Sequence, residues 1–147
     1  MQTPVEILST LLEMLGFEFE IEPMRTISGD VLQIRTPDRE LLIGYEGETL
    51  DDLQFLLNRL LQAQDPTSPK AHLDVEFYRE ERNAALLRQL KEYADLVRTT
   101  GKPFYLEPMK AYERRIVHNA FRDDPEITTS SPQGEAAVKR ITLLRRE

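Results

Sequence analysis

The apolar residues of this chain change their spacing in a fixed order, and that order limits the fold more than any other feature. Leu8, Leu11, Leu12 and Leu15 recur at helical spacing. Thr3, Pro4 and Glu6 supply a capping box and a first-turn proline before them, and Gly16 is placed to end the helix. Phe17, Phe19 and Ile21 then alternate with Glu18, Glu20 and Glu22, as a strand with one buried and one wet face requires. Ser28-Gly29-Asp30 predicts a turn, and Val31 to Thr36 the returning strand. Asp38 to Ile43 predicts a short helix. Glu48 to about Gln62 predicts a longer one, with Leu50, Leu53, Leu57, Leu60 and Leu61 on one face. Ala71, Leu73, Val75 and Phe77 alternate again. The order is helix, strand, strand, helix, helix, strand, an α+β pattern.

The second half repeats none of this. A long helix is expected from about Tyr78 to Thr99, ended by Gly101. A short strand, Pro103 to Leu106, precedes a helix from about Lys110 to Phe121. Ile127 to Thr129 and Val138 to Leu144 predict two strands, with Ser130-Ser131-Pro132-Gln133-Gly134 turning the chain between them. No Gly/Ser-rich linker interrupts the sequence. The expected organisation is therefore two small modules, 1–77 and 78–147, each with a three-stranded sheet and joined by the long helix.

Charge divides at the same place. The net charge is −7. Residues 1–77 carry five Lys/Arg against fifteen Asp/Glu, a balance of −10, and residues 78–147 carry fourteen against eleven, a balance of +3. A polyanion should prefer the second half. There is no cysteine, so disulfides, thiolate metal sites and cysteine nucleophiles are excluded together. The two histidines, His72 and His118, are far apart, and no metal-ligand spacing is visible. No phosphate-binding Gly-x-x-x-x-Gly-Lys loop or dinucleotide fingerprint occurs, and Asp51-Asp52 and Asp123-Asp124 are adjacent pairs that diverge rather than work as acid and base. No catalytic residue, cofactor, metal or small-molecule substrate is expected. Without a signal peptide or an apolar run long enough to cross a bilayer, the expected place is the cytoplasm, with no membrane insertion.

Two constellations suit phosphate. Gly44-Tyr45-Glu46-Gly47 lies between two helices, where paired glycines let a sugar-phosphate backbone approach and the second helix offers free N–H groups. The same glycines would equally serve a tight helix-loop-helix turn. In the 110–121 helix, Arg114 and His118 are four apart and share a face, with Arg115 adjacent, Arg122 four beyond and Lys110 at the start. An arginine and an imidazole there can grip one phosphate with several donors. His118 would equally serve as a structural histidine bonded to its surroundings. Lys102, Lys139, Arg140, Arg145 and Arg146 can extend the patch, and Tyr105 and Tyr112 can stack on bases.

Ile43-Gly44-Tyr45-Glu46-Gly47-Glu48-Thr49-Leu50, in this element order, resembles the Ile-Gly-x-x-Gly-x-Thr-Leu signature of type II KH domains over residues 1 to about 77. Tyr45 and Glu46 stand where such loops usually include Lys or Arg. Leu106-Glu107-Pro108-Met109-Lys110-Ala111-Tyr112-Glu113-Arg114-Arg115-Ile116-Val117-His118 resembles the R-three-H domain of the Jag family, also called SpoIIIJ-associated proteins, in which it follows a KH domain. Lys110-Ala111 stands where the family often has Asn-Pro. The resemblance covers essentially the whole chain. It implies a type II KH domain over 1–77 and a small α/β R-three-H domain over 78–147. It also implies binding of single-stranded RNA or DNA through Arg114, His118, Arg115, Lys110 and Arg122, helped by Gly44, Tyr45 and Gly47. The processes it implies are post-transcriptional regulation, cell elongation or division, or membrane-protein insertion. The alternative from the residues themselves is a protein-interaction adaptor on a degenerate KH scaffold. There Glu46 and the acidic half would receive a basic protein or a second KH protein.

Overall fold

The computed structural model describes residues 1–26, 29–134 and 138–146, with the backbone alone of Val138. Contacts divide the chain into two compact units, Met1–Glu81 and Arg82–Glu147.

The first unit runs α1 (Pro4–Met14), β1 (Glu20–Thr26), β2 (Gly29–Arg35), α2 (Arg39–Ile43), one 3-10 turn (Tyr45–Gly47), α3 (Glu48–Gln64) and β3 (Leu73–Val75). Thr3 caps α1, its Oγ1 accepting from Glu6 N at 3.2 Å and donating to the Glu6 carboxylate at 3.1 Å. The sheet order is β1-β2-β3, with β1 antiparallel to β2 and β2 parallel to β3. A parallel pair needs a long crossover, and α2 and α3 supply it. Leu8, Leu12, Leu50, Leu57, Ile34, Leu73 and Val75 are fully or almost fully buried between helices and sheet.

The first strand differs from expectation. Pairing begins at Glu20, opposite Arg35, and runs on to Thr26 rather than spanning 17–22. Upstream, the Glu18 carbonyl accepts from the Thr36 hydroxyl (2.7 Å), so a side chain replaces the ladder there, while Phe17 and Phe19 still pack on the core. Downstream, Pro23 is accommodated because β1 is an edge strand. Of the expected 28–30 turn, Ser28 lies outside the described residues, and Gly29 and Asp30 belong to β2.

A buried polar cluster closes this unit on the start of α4 (Tyr78–Thr100). The Asp74 carboxylate, 2% exposed, accepts from Val75 N, Arg79 N, Glu80 N and Gln33 Nε2 at 2.8–3.1 Å. Gln33 Oε1 in turn accepts from Phe77 N. These bonds satisfy helix N–H groups that have no partner within the helix. They also hold Glu76 and Phe77 at positive φ (45° and 61°), which costs roughly 1–3 kcal/mol per residue.

The second unit contains the rest of α4, then β4 (Phe104–Tyr105), β5 (Met109–Lys110), α5 (Ala111–Phe121), β6 (Ile127–Ser130), β7 (Val138–Lys139) and β8 (Thr142–Arg145). Its three-stranded sheet is antiparallel in the order β4-β8-β6. The strand expected over 138–144 is two strands. At Arg140–Ile141 the chain leaves a two-stranded β5-β7 ribbon and enters the larger sheet, because Ile141 turns fully into the core and its carbonyl accepts from Leu106 N. Leu90, Ala94, Val97, Val117, Ile127 and Leu143 complete that core. Phe104 stacks on Tyr93 with centroids 4.2 Å apart.

Arg98 and Asp124 pin the end of α4 to the turn before β6, with Asp124 also accepting from Glu126 N (2.8 Å) and Ile127 N (3.0 Å). Burial works against the charge on Asp124, but those two N–H groups and the Arg98 guanidinium outweigh it and hold the carboxyl below the usual range.

Candidate nucleic-acid interface

Helix α5 carries its sequence-predicted donors in two states, anchored and loose. Lys110 occupies the N-cap position with extended backbone, and its N–H donates to Glu113 Oε1 at 3.2 Å. Glu113 thus closes the start of the helix. Val117 and Phe121 turn into the core. That orientation leaves Arg114 and His118 half-buried on a flank of the helix. Arg114 Nη1 donates to the Met109 carbonyl of β5 at 2.7 Å. His118 Nδ1 lies 2.5 Å from Thr129 Oγ1 on β6. Both side chains therefore have their directions set by the strands that precede and follow the helix in the chain. Arg115 is exposed, and Arg122 is exposed with its guanidinium on the Asn119 side-chain carbonyl. Lys139, in β7, is placed in register with Met109, next to Lys110. Tyr105 is exposed on β4 and Tyr112 is half-buried.

The glycine pair of the first unit has a packing reason for each member. Gly44 has φ 72°, and a Cβ there would lie 2.8 Å from Thr49 Cβ and 2.9 Å from Thr49 N. Gly47 has φ 82° and is buried, with a Cβ falling 3.2 Å from Cε2 of the Tyr78 ring. Only glycine meets both conditions without strain. Between them Tyr45 is 76% exposed, and Glu46 has φ 51°, a left-handed conformation unusual for a side-chain-bearing residue. Asp51 pairs with Arg79, which also donates to Gln54 Oε1 and the Leu73 carbonyl. Glu46, Glu48 and Asp52 are exposed. The loop thus presents one aromatic ring among carboxylates.

Sequence reasoning missed Thr129, the Met109 carbonyl and the β5-β7 ribbon as parts of the α5 flank. A signal for Thr129 was present: it shares a strand face with Ile127, so a hydroxyl stands at a core-facing position. Among the described residues no group of three or more His, Cys, Asp or Glu side chains could hold a metal ion, and no helix is long and apolar enough to cross a membrane.

Residues 84–145, which hold most of α4, the Arg-x-x-x-His helix α5 and the small antiparallel sheet, match the R-three-H domain model. The chain is 33% identical over 133 residues to the RNA-binding protein KhpB of Clostridium symbiosum, covering 90% of this chain and 60% of that one. It is 35% identical over 100 residues to the RNA-binding protein KhpB of Lactiplantibacillus plantarum (68% and 31%), and 37% identical over 79 residues to that of Bacillus subtilis (54% and 38%). The chain therefore carries an R-three-H domain and is similar to these KhpB proteins over much of its length, and it spans 60% or less of the length of these relatives.

Proposed function

We propose that this chain binds single-stranded nucleic acid, RNA above all, with the Arg114–His118 flank of α5 as the principal phosphate contact. The observation that carries this is the double anchoring on one helix, Arg114 on Met109 and His118 on Thr129. Anchored donors lose little freedom when an anion arrives, and that is the cost that usually weakens surface binding. Arg115, Lys110 and Arg122 add charge along the same helix. Relatives named as RNA-binding proteins support RNA over DNA. In this reading residues 1–77 form a type II KH module and residues 78–147 the R-three-H module, and the protein is a binding adaptor rather than an enzyme. Gly44, Tyr45 and Gly47 act as a weak helper site in which Tyr45 offers a stacking ring. Regulation of transcripts, cell elongation or division, and membrane-protein insertion are the processes in which the family resemblance would place it.

A second reading has its own observation. On α3, Phe55 (65% exposed), Leu56 and Leu60 leave apolar surface uncovered in a strongly acidic unit. A basic protein or a second KH protein docking on the first unit fits that surface.

The test is a titration of one labelled single-stranded RNA with wild type, Arg114→Ala/His118→Ala and Glu46→Lys, at low and moderate salt. The double variant should bind at least tenfold more weakly, and Glu46→Lys more tightly. If all three bind alike, neither motif is the site. Blunt duplex DNA bound as tightly as the single strand would refute the single-strand preference.

A further inference from the structure

We propose that Thr129 is a positioning residue for His118, whose hydroxyl makes the neutral imidazole a phosphate donor through Nε2. The proposal rests on the reading that His118 contacts phosphate, and it goes beyond that reading by naming the proton arrangement and what fixes it.

The first argument comes from the strand. β6 pairs with β8 so that Thr129 opposes Leu143 and Ile127 opposes Arg145. Ile127 and Leu143 are both completely buried, and Thr129 stands on their face of the sheet. Valine has the same shape as threonine and would serve a β-strand at a core-facing position at least as well. A half-buried hydroxyl there needs a hydrogen-bond partner to offset its desolvation. His118 Nδ1, at 2.5 Å, is that partner.

The second argument comes from the chemistry of the partner. Most histidines held by an internal contact donate Nδ1–H to a carbonyl or carboxylate, which can only accept. A neutral ring held that way has a bare lone pair on Nε2 and repels an anion. It becomes a donor at Nε2 only by gaining a second proton. A hydroxyl both donates and accepts. When the ring is neutral, Thr129 O–H can donate to Nδ1, an arrangement no carbonyl or carboxylate allows, and the ring proton then resides on Nε2. When the ring is charged, Nδ1–H donates to Thr129 Oγ1, and Nε2–H is still present. The ring keeps one pose in both states, and Nε2 remains a donor throughout. Among the described residues Thr129 is the ring's only hydrogen-bond partner, so Nε2 is the nitrogen left for a ligand.

The experiment uses the whole chain and a labelled single-stranded RNA. Long-range nitrogen–proton NMR of the imidazole, at a pH of about 9 where an ordinary histidine is neutral, should show the proton of His118 on Nε2. Thr129→Val should bind RNA about fivefold more weakly, the loss of one ordinary hydrogen bond, and Thr129→Ser within about twofold of wild type. In a His118→Ala background Thr129→Val should change nothing further, because both substitutions remove the same contact. A wild-type proton on Nδ1 overturns the proposal even if Thr129→Val fails to fold. So does Thr129→Val binding like wild type while His118→Ala binds weakly, or a second fivefold loss on top of His118→Ala. Unchanged binding by His118→Ala refutes the phosphate reading itself and takes this proposal with it.

Discussion

Replacing Arg114 with alanine tests binding and folding side by side, because its guanidinium serves both. In the fold the guanidinium donates to the Met109 carbonyl at 2.7 Å, a bond worth about 1 kcal/mol net to a neutral acceptor, somewhat more with the charged donor. A guanidinium has five N–H groups in a fixed fork, so a tether to Met109 and a grip on phosphate are compatible. Arg114→Ala should therefore lower unfolding stability by about 1–2 kcal/mol while removing a charge-assisted phosphate contact worth about 1.5–3 kcal/mol. On binding that is a loss of roughly 10- to 150-fold. Salt provides an independent measure. Each phosphate contact on a single strand contributes about 0.7 to the slope of log K against log salt concentration, so the slope should become shallower by about that amount. Arg114→Lys keeps the charge but not the fork, and should recover most of the salt slope and only part of the affinity. The assay is fluorescence anisotropy across a salt series, with urea unfolding run in parallel. If Arg114→Ala keeps both wild-type affinity and wild-type slope while folded, the Arg114–His118 flank is not the phosphate site.

Glu46→Lys should tighten RNA binding several-fold by removing an exposed carboxylate, whereas Glu46→Gly should raise stability by about 1 kcal/mol through relief of its positive φ; paired anisotropy and denaturant titrations check both. Asp74→Ala should destabilise the first unit by about 3 kcal/mol or more, since four N–H donors lose one buried acceptor, as measured by urea unfolding. Asp124 has a lowered carboxyl pKa, so its contribution is present above the unfolded value of about 3.9 and is lost as pH falls below that through the folded one. Asp124→Asn should flatten that acid limb of the stability curve, and an unchanged limb would remove Asp124 as its cause.

Periodicity made the elements of the first unit legible, because each of its helices and strands buries a separate apolar face. It did not make their ends legible. The alternation of Phe17, Phe19 and Ile21 describes burial, and burial begins before the ladder does, since Thr36 satisfies the Glu18 carbonyl with a side chain. In the second unit Val138 to Leu144 is one run of strand-forming residues, yet it serves two sheets. The break at Ile141 depends on what that side chain meets, which local sequence does not encode. The glycine pair carries a different lesson. Gly44 and Gly47 are demanded by Thr49, by Tyr78 and by positive φ before any ligand is considered. A bulky residue at Gly47 would disturb the Tyr78 contact, so lost binding in such a variant would say nothing about phosphate. Tyr45 and Glu46, exposed at the tip, are the positions at which the loop can be tested.

The α5 donors differ in what they can contribute, and the difference lies in their tethers rather than their charges. Arg115 is an exposed side chain with much rotamer entropy, and holding it on a phosphate forfeits up to about 2 kcal/mol of it; among the described residues Arg122 is held only by the Asn119 side chain of the same helix, itself exposed. Arg114 and His118 have given up part of that freedom during folding, to Met109 and Thr129. A phosphate placed on them recovers more of the gross interaction as affinity. The loose arginines act through their field, which raises the encounter rate and fades with salt over a screening length of about 8–10 Å. Arg115→Ala should therefore slow association and leave dissociation nearly unchanged, whereas His118→Ala should speed dissociation. Stopped-flow binding at two salt concentrations distinguishes these outcomes. Equal effects of the two substitutions on the dissociation rate would mean that anchoring does not select the residues that hold the strand.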